Sequence, residues 1–174
     1  YLELLSNAGV KWLALGIENP NINARKIIYK ESFEEVNITT IIKAIQSYGI
    51  AVAANYIFGL PNDTQESMEN TLQFAKENLT EMVSFYCAMA YPGSPLYRHA
   101  IQKGITLPDY YVGYSQHSYE TQNLSTDYLS ADEVLRFRDH AWEEYNSMPK
   151  YEMFLIEKFG NHAAYCGTKF AVHA

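Results

Sequence analysis

The chain has 174 residues and a mass of 19.9 kDa, with 48% hydrophobic and 19% charged residues. These values suit one soluble globular domain and exclude disorder and fibre-forming repeats. A net charge of -7 and a pI near 5.2 exclude a nucleic-acid backbone as the main partner, which needs clustered Lys and Arg, and leave a small-molecule substrate as the expectation.

No apolar run approaches the roughly 18 residues of a membrane helix. The best, Ile50 to Leu60, carries Asn55 in its middle, so no membrane partner is expected. No basic start followed by an apolar stretch suggests a signal peptide, and Tyr1 rather than Met marks the chain as an expected fragment. Cys87 and Cys166 are too few for a disulfide scaffold or a four-thiolate metal site, and free cysteines suit a reducing cytoplasm. The Asn-x-Ser/Thr sequons at Asn37, Asn62, Asn78 and Asn123 matter only in a secreted protein.

Lys11 to Ile17 (KWLALGI) is nearly continuously apolar and ends at an acidic residue, as a parallel strand buried on both faces does. A weak helix around Ile22 to Tyr29 follows. A stronger one has Ile38, Ile41, Ile42 and Ile45 at helical spacing, Asn37 as N-cap and Gly49 as stop. Ile50 to Leu60 is a second buried strand, broken by Gly59-Leu60-Pro61. The helix after it sets Met68, Leu72, Ala75 and Leu79 on one face, with Asp63 and Glu66 as a capping-box pattern. Met82 to Ala90 is a third strand, and Ser94 caps a helix that opens with Pro95 and closes at Gly104. The strands start roughly 30 to 40 residues apart, the alternation of doubly wound sheets and (β/α) barrels.

Past Gly104 the pattern changes. Residues 105–129 are polar, aromatic and aperiodic, long enough for a functional cover loop, and eight of the 15 tyrosines fall between Tyr86 and Tyr128. Ser130 and Glu133 form a capping box for a helix with the stripe Ala131, Val134, Leu135, Arg138, Ala141, Trp142 and Tyr145. A last helix spans Tyr151 to Phe159.

Parallel α/β folds gather chemistry at the carboxyl ends of their strands. Here those ends offer Glu18, then Asn55 and Ile57, then Met89, Ala90, Tyr91 and Pro92, all facing one mouth. Glu18 has two readings: a carboxylate that accepts both hydroxyls of a ribose diol, or a loop cap with no ligand. The Asn55 amide either meets a ligand or satisfies neighbouring main chain. Lys30 either returns a cation to the same mouth or is solvated, as most lysines are. His117 is either a substrate-side acid or a plain loop histidine. Buried Cys87 reads as a small hydrophobe.

Ala14-Leu15-Gly16-Ile17-Glu18, Asn55 to Thr64 (NYIFGLPNDT) and Tyr91 to Tyr97 (YPGSPLY), in this order and spacing, resemble the second half of a radical S-adenosylmethionine (radical SAM) enzyme, of the type that often carries a cobalamin-binding domain upstream. The resemblance implies a fold class of α/β, the C-terminal portion of a partial (β/α)6 TIM-type barrel. Residues 1–104 would be a half-barrel with about the fourth to sixth strands, 105–129 an aromatic polar loop and 130–174 a helical extension. It also implies that three cysteines of a CxxxCxxC loop hold a 4Fe-4S cluster, which cleaves S-adenosylmethionine to a 5′-deoxyadenosyl radical for hydrogen abstraction or methyl transfer.

By position, the resemblance gives Glu18 the ribose, Lys30 the methionyl carboxylate, Asn55 a further ribose contact and Ile57 the adenine face, with the main chain around Met89 reading the adenine edge. Tyr114, His117 and Tyr119 in the aromatic loop are the substrate-side candidates. The departure is that CxxxCxxC is absent from these residues. The cluster ligands are therefore expected in a missing N-terminal half of the same polypeptide, and the chain alone is expected to be inactive. Two other classes compete: a cofactor-free binding or scaffold module on a degenerate α/β barrel, and a barrel lyase or hydrolase with Glu18 as general base, which lacks a second catalytic acid.

Overall fold

A computed structural model describes residues 1–21 and 37–161. Among these, three parallel strands, β1 (Trp12–Glu18), β2 (Ala51–Phe58) and β3 (Met82–Cys87), form one sheet in the order β1-β2-β3. Six helices accompany it: α1 (Leu2–Asn7), α2 (Ile38–Ser47), α3 (Gln65–Glu77), α4 (Pro95–Lys103), α5 (Ala131–Asn146) and α6 (Pro149–Phe159). α1 has no counterpart in the sequence reading; it tucks Leu2 and Leu5 against the core. The expected helix around Ile22 to Tyr29 lies outside the described residues.

The caps follow the sequence with one correction. Asn37 accepts the Thr40 N–H, Ser94 accepts the Tyr97 N–H beside Pro95, and Ser130 with Glu133 closes a reciprocal capping box. At α3 the box is instead Thr64 with Ser67. Asp63 is turned back into the preceding loop, where its carboxylate accepts the N–H of Gly59 and Leu60 at 3.0 and 2.9 Å and the Ser67 hydroxyl at 2.7 Å. The Gly59-Leu60-Pro61 turn left two buried donors to satisfy, and that demand outweighs the helix terminus. Gly59 has φ +81°, and a Cβ there would stand 2.6 Å from Val134 Cγ1, so α5 approaches this turn too closely for any side chain.

The expectation of strands covered on both faces is also revised. On β2, Val52, Ala54, Tyr56 and Phe58 are buried, while Ala51, Ala53, Asn55 and Ile57 are half-buried. Among the described residues, α4 reaches only the Ile57 end of the second of these faces, while α2, α3, α5 and α6 cover the first. Ile42 and Ile45 of α2, Met68 and Leu72 of α3, Val134, Phe137 and Tyr145 of α5, and Leu155 of α6 pack there in one cluster. Phe137, absent from the expected stripe, faces the sheet from α5, stacking edge-on against Phe58 at 5.0 Å, while Arg138 of that stripe is half-buried with its side chain 18% exposed. The other face is built from small residues, Ala14, Gly16, Ala53 and Ser84, and ends at Ile57 and Tyr86, which are paired across β2 and β3.

The two ends of the sheet differ. At the amino end, buried Glu81 accepts the Val52 N–H at 2.8 Å and pairs with Gln46 and Lys158, tying α2, β2 and α6 together. At the carboxyl end β3 stops at Cys87 rather than Ala90, because after Ala88 donates to Phe58 O the chain turns, with Tyr91 N bonding Met89 O. A second apolar cluster, Leu60, Ala88, Ala90, Ala100 and Leu124, fills this end.

Candidate functional site

A pocket of about 440 Å³ lies over the carboxyl ends of the strands. Glu18, Ile57, Tyr86 and Cys87 reach it from the sheet. Met89 and Tyr91 reach it from the turn after β3, Ser94, Pro95 and Leu96 from the start of α4, and Gln116 from the aromatic loop. Apolar walls with a few convergent polar groups are the usual make-up of a small-molecule site.

Glu18 is aimed by a backbone irregularity. Gly16 pairs with Asn55 and Glu18 with Tyr56, which leaves Ile17 as an extra residue in β1. Ile17 turns into the helix-side core at 5% exposure, and Glu18 takes φ 64°. Among the described residues it is the one non-glycine residue with positive φ, a conformation that costs energy in a residue with a long side chain. Glu18 is thereby set on the pocket wall, as the one charged side chain that the described residues bring to it.

Next to it, Asn19 is 1% exposed, with Oδ1 accepting the Asn21 N–H at 2.9 Å. Its Nδ2 and the Tyr56 hydroxyl are the buried polar atoms without a partner among the described residues. Burial pushes the Tyr56 phenol far above its ordinary value, with Tyr145 adding to the rise. Burial also pushes the Cys87 thiol up to about 11, against a lowering by Arg138, so Cys87 stays a protonated, unreactive thiol.

Glu18, Ile57 and Met89 of the sequence candidates come together on the pocket wall. Asn55 lies on the same sheet face, one pair inward of Ile57, where its Nδ2 donates to Leu15 O at 3.4 Å; it is not part of the wall. Tyr114 stands one residue layer back, stacked on Tyr91 at 6.2 Å. His117 and Tyr119 are exposed and line no part of the pocket. Lys30 lies outside the described residues. Tyr86, Leu96 and Gln116 were not sequence candidates, whereas Tyr91 stands among the strand-end positions expected at the mouth. Strand alternation points to Tyr86, two residues after Ser84 on the Asn55 face, whereas no local pattern marks Gln116.

No protein-family profile matches the chain. It is 32% identical over 108 residues, 62% of its length, to a hopanoid C-2 methylase of Rhodopseudomonas palustris, and covers 20% of that protein. It is 27% identical over 103 residues to an uncharacterized methyltransferase of Pyrococcus horikoshii, with 59% of this chain and 22% of the relative covered. Three relatives are each a methylase or methyltransferase by name. The third is a bacteriochlorophyllide d C-12(1)-methyltransferase of Chlorobaculum tepidum, 26% identical over 95 residues, 55% of this chain and 21% of the relative. The chain thus spans about a fifth of the length of the curated relatives it matches.

Among the described residues no three His, Cys, Asp or Glu side chains are grouped to hold a metal ion, and Cys87 is turned into the core. These residues do not fit a 4Fe-4S cluster. They do fit the nucleoside part of S-adenosylmethionine: a carboxylate for a diol beside Ile57 and Met89 for a flat ring. No described helix is long and apolar enough to cross a membrane.

Proposed function

We propose that this chain is the S-adenosylmethionine-binding part of a radical SAM methyltransferase, with a cobalamin domain and the cluster-binding cysteines in other parts of the polypeptide. The observation that carries the reading is Glu18, held at positive φ on the wall of an apolar strand-end pocket beside Ile57 and Met89. The similarity to three methyltransferases supports the reaction class. The (β/α)6 barrel follows from the same reading: β1 to β3 would be consecutive barrel strands, with the small-residue face turned inward.

In this arrangement the Glu18 carboxylate accepts the ribose hydroxyls, Ile57 packs on the adenine, and the turn at Met89 offers main-chain groups to its edge. Bound S-adenosylmethionine supplies an activated sulfonium as source of a radical or a methyl group; the pocket orients it and keeps water away. The substrate would approach from the Tyr91 and Tyr114 side.

Calorimetric titration of the chain with S-adenosylhomocysteine tests the reading. Saturable binding is expected, weakened roughly tenfold or more by Glu18→Gln, because a hydrogen bond to a charged acceptor is worth about 1.5–3 kcal/mol. No binding, or binding indifferent to Glu18→Gln, overturns it in favour of a cofactor-free module.

A further inference from the structure

The aromatic segment 105–129 is fixed to the sheet at one point that recognition of a nucleoside does not require. Gln116 Nε2 donates to Cys87 O at 2.9 Å, and the Cys87 N–H donates to Gln116 Oε1 at 3.3 Å. Ala88 N bonds back to Phe58 on β2, so Cys87, its neighbour, directs its N–H and C=O to the opposite, outer edge of β3. A parallel strand there would satisfy these groups with two residues; the planar carboxamide does so with one side chain.

The surrounding loop is arranged about this contact. Gln122 N bonds Gly113 O at 2.9 Å, closing 113–122 into a compact lobe, and Leu124 N bonds Ala88 O at 3.1 Å, one residue beyond the clamp. Gly113 lies where a Cβ would meet the Pro108 ring at 2.6 Å, so the lobe packs this closely on Pro108 only with a glycine there. Tyr114, within it, stacks on Tyr91, and both Tyr91 and Gln116 face the pocket.

We propose that Gln116 is a positioning residue: by pairing with both main-chain groups of Cys87 it fixes the aromatic segment as the outer wall of the pocket and holds the pocket in its binding shape. The ligand consequence rests on the nucleoside reading of the site; the placement of the wall does not. Gln is suited because an amide both donates and accepts. Gln116→Met keeps the length and loses both bonds, while Gln116→Glu keeps an acceptor for the Cys87 N–H and sets a carboxylate oxygen against Cys87 O.

The experiment compares the full chain with both variants. Amide hydrogen exchange is measured at Cys87 and over 113–122, affinity for S-adenosylhomocysteine by calorimetry, and folding by the thermal midpoint. In a variant that keeps a cooperative transition, exchange at both places is expected to rise, and affinity to fall roughly tenfold, the scale of one or two lost hydrogen bonds. Wild-type exchange in a folded variant overturns the proposal, and so does faster exchange with unchanged affinity. If the wild-type chain itself binds no S-adenosylhomocysteine, the nucleoside reading falls, and the exchange result alone decides whether Gln116 places the wall.

Discussion

One carboxylate oxygen of Asp63, Oδ2, accepts the main-chain N–H of Leu60 at 2.9 Å and that of Gly59 at 3.0 Å, inside a turn where Asp63 is 2% exposed. Asp63→Ala leaves both donors buried and unmet and is expected to cost about 2–4 kcal/mol. Asp63→Asn retains an acceptor oxygen and is expected to cost less, as chemical denaturation will show. Burial raises the Asp63 pKa, against lowering by Ser67, Leu60 and Gly59. A folded-state value above the unfolded one means the native state holds this proton more tightly, so its contribution to stability falls as pH rises through the interval between the two. The stability difference between wild type and Asp63→Asn should therefore shift against wild type as pH rises above the ordinary aspartate value.

Glu81 anchors the opposite end of the sheet. Its side chain is 2% exposed, bonded to Val52 N and Gln46 and paired with Lys158 at 3.3 Å. Glu81→Ala strips a buried network and should cost about 3 kcal/mol or more. Lys158→Ala removes a partner that is one-third exposed and should cost about 1 kcal/mol or less. Neither change should alter ligand affinity at the far end of the strands; a loss of affinity in Lys158→Ala with its fold intact would contradict this division.

Glu18 carries a backbone cost that function would explain. Asn tolerates the left-handed region better, so Glu18→Asn should keep or raise the thermal midpoint, by up to about 1 kcal/mol of stability, while nucleoside affinity drops. A large loss of stability with affinity intact would show that Glu18 serves the fold instead.

The alternation of strands and helices was legible because each element carries its own signal. Ile42 and Ile45 recur at helical spacing, Ser94-Pro95 opens a helix, and Gly49 and Gly104 end helices with positive φ. The misread positions are those where groups outside the helix competed for the same side chain or the same space. Asp63 fits a helix cap locally, yet two amides of the preceding turn took its carboxylate. Phe137 falls outside the expected α5 stripe, yet the space beside Phe58 admitted it.

The sequence by itself determined the alternation of strands and helices, most of their caps and the neighbourhood of the strand ends where Glu18, Ile57 and Met89 stand, because periodicity and turn chemistry act over a few residues. Only the tertiary structure decided which way those side chains point and what closes over them. The β1 bulge that turns Glu18 to the pocket exists only in register with β2, and the Gln116 clamp joins groups 29 residues apart. Such contacts depend on where the packed sheet leaves unpaired main chain, and no local pattern records that.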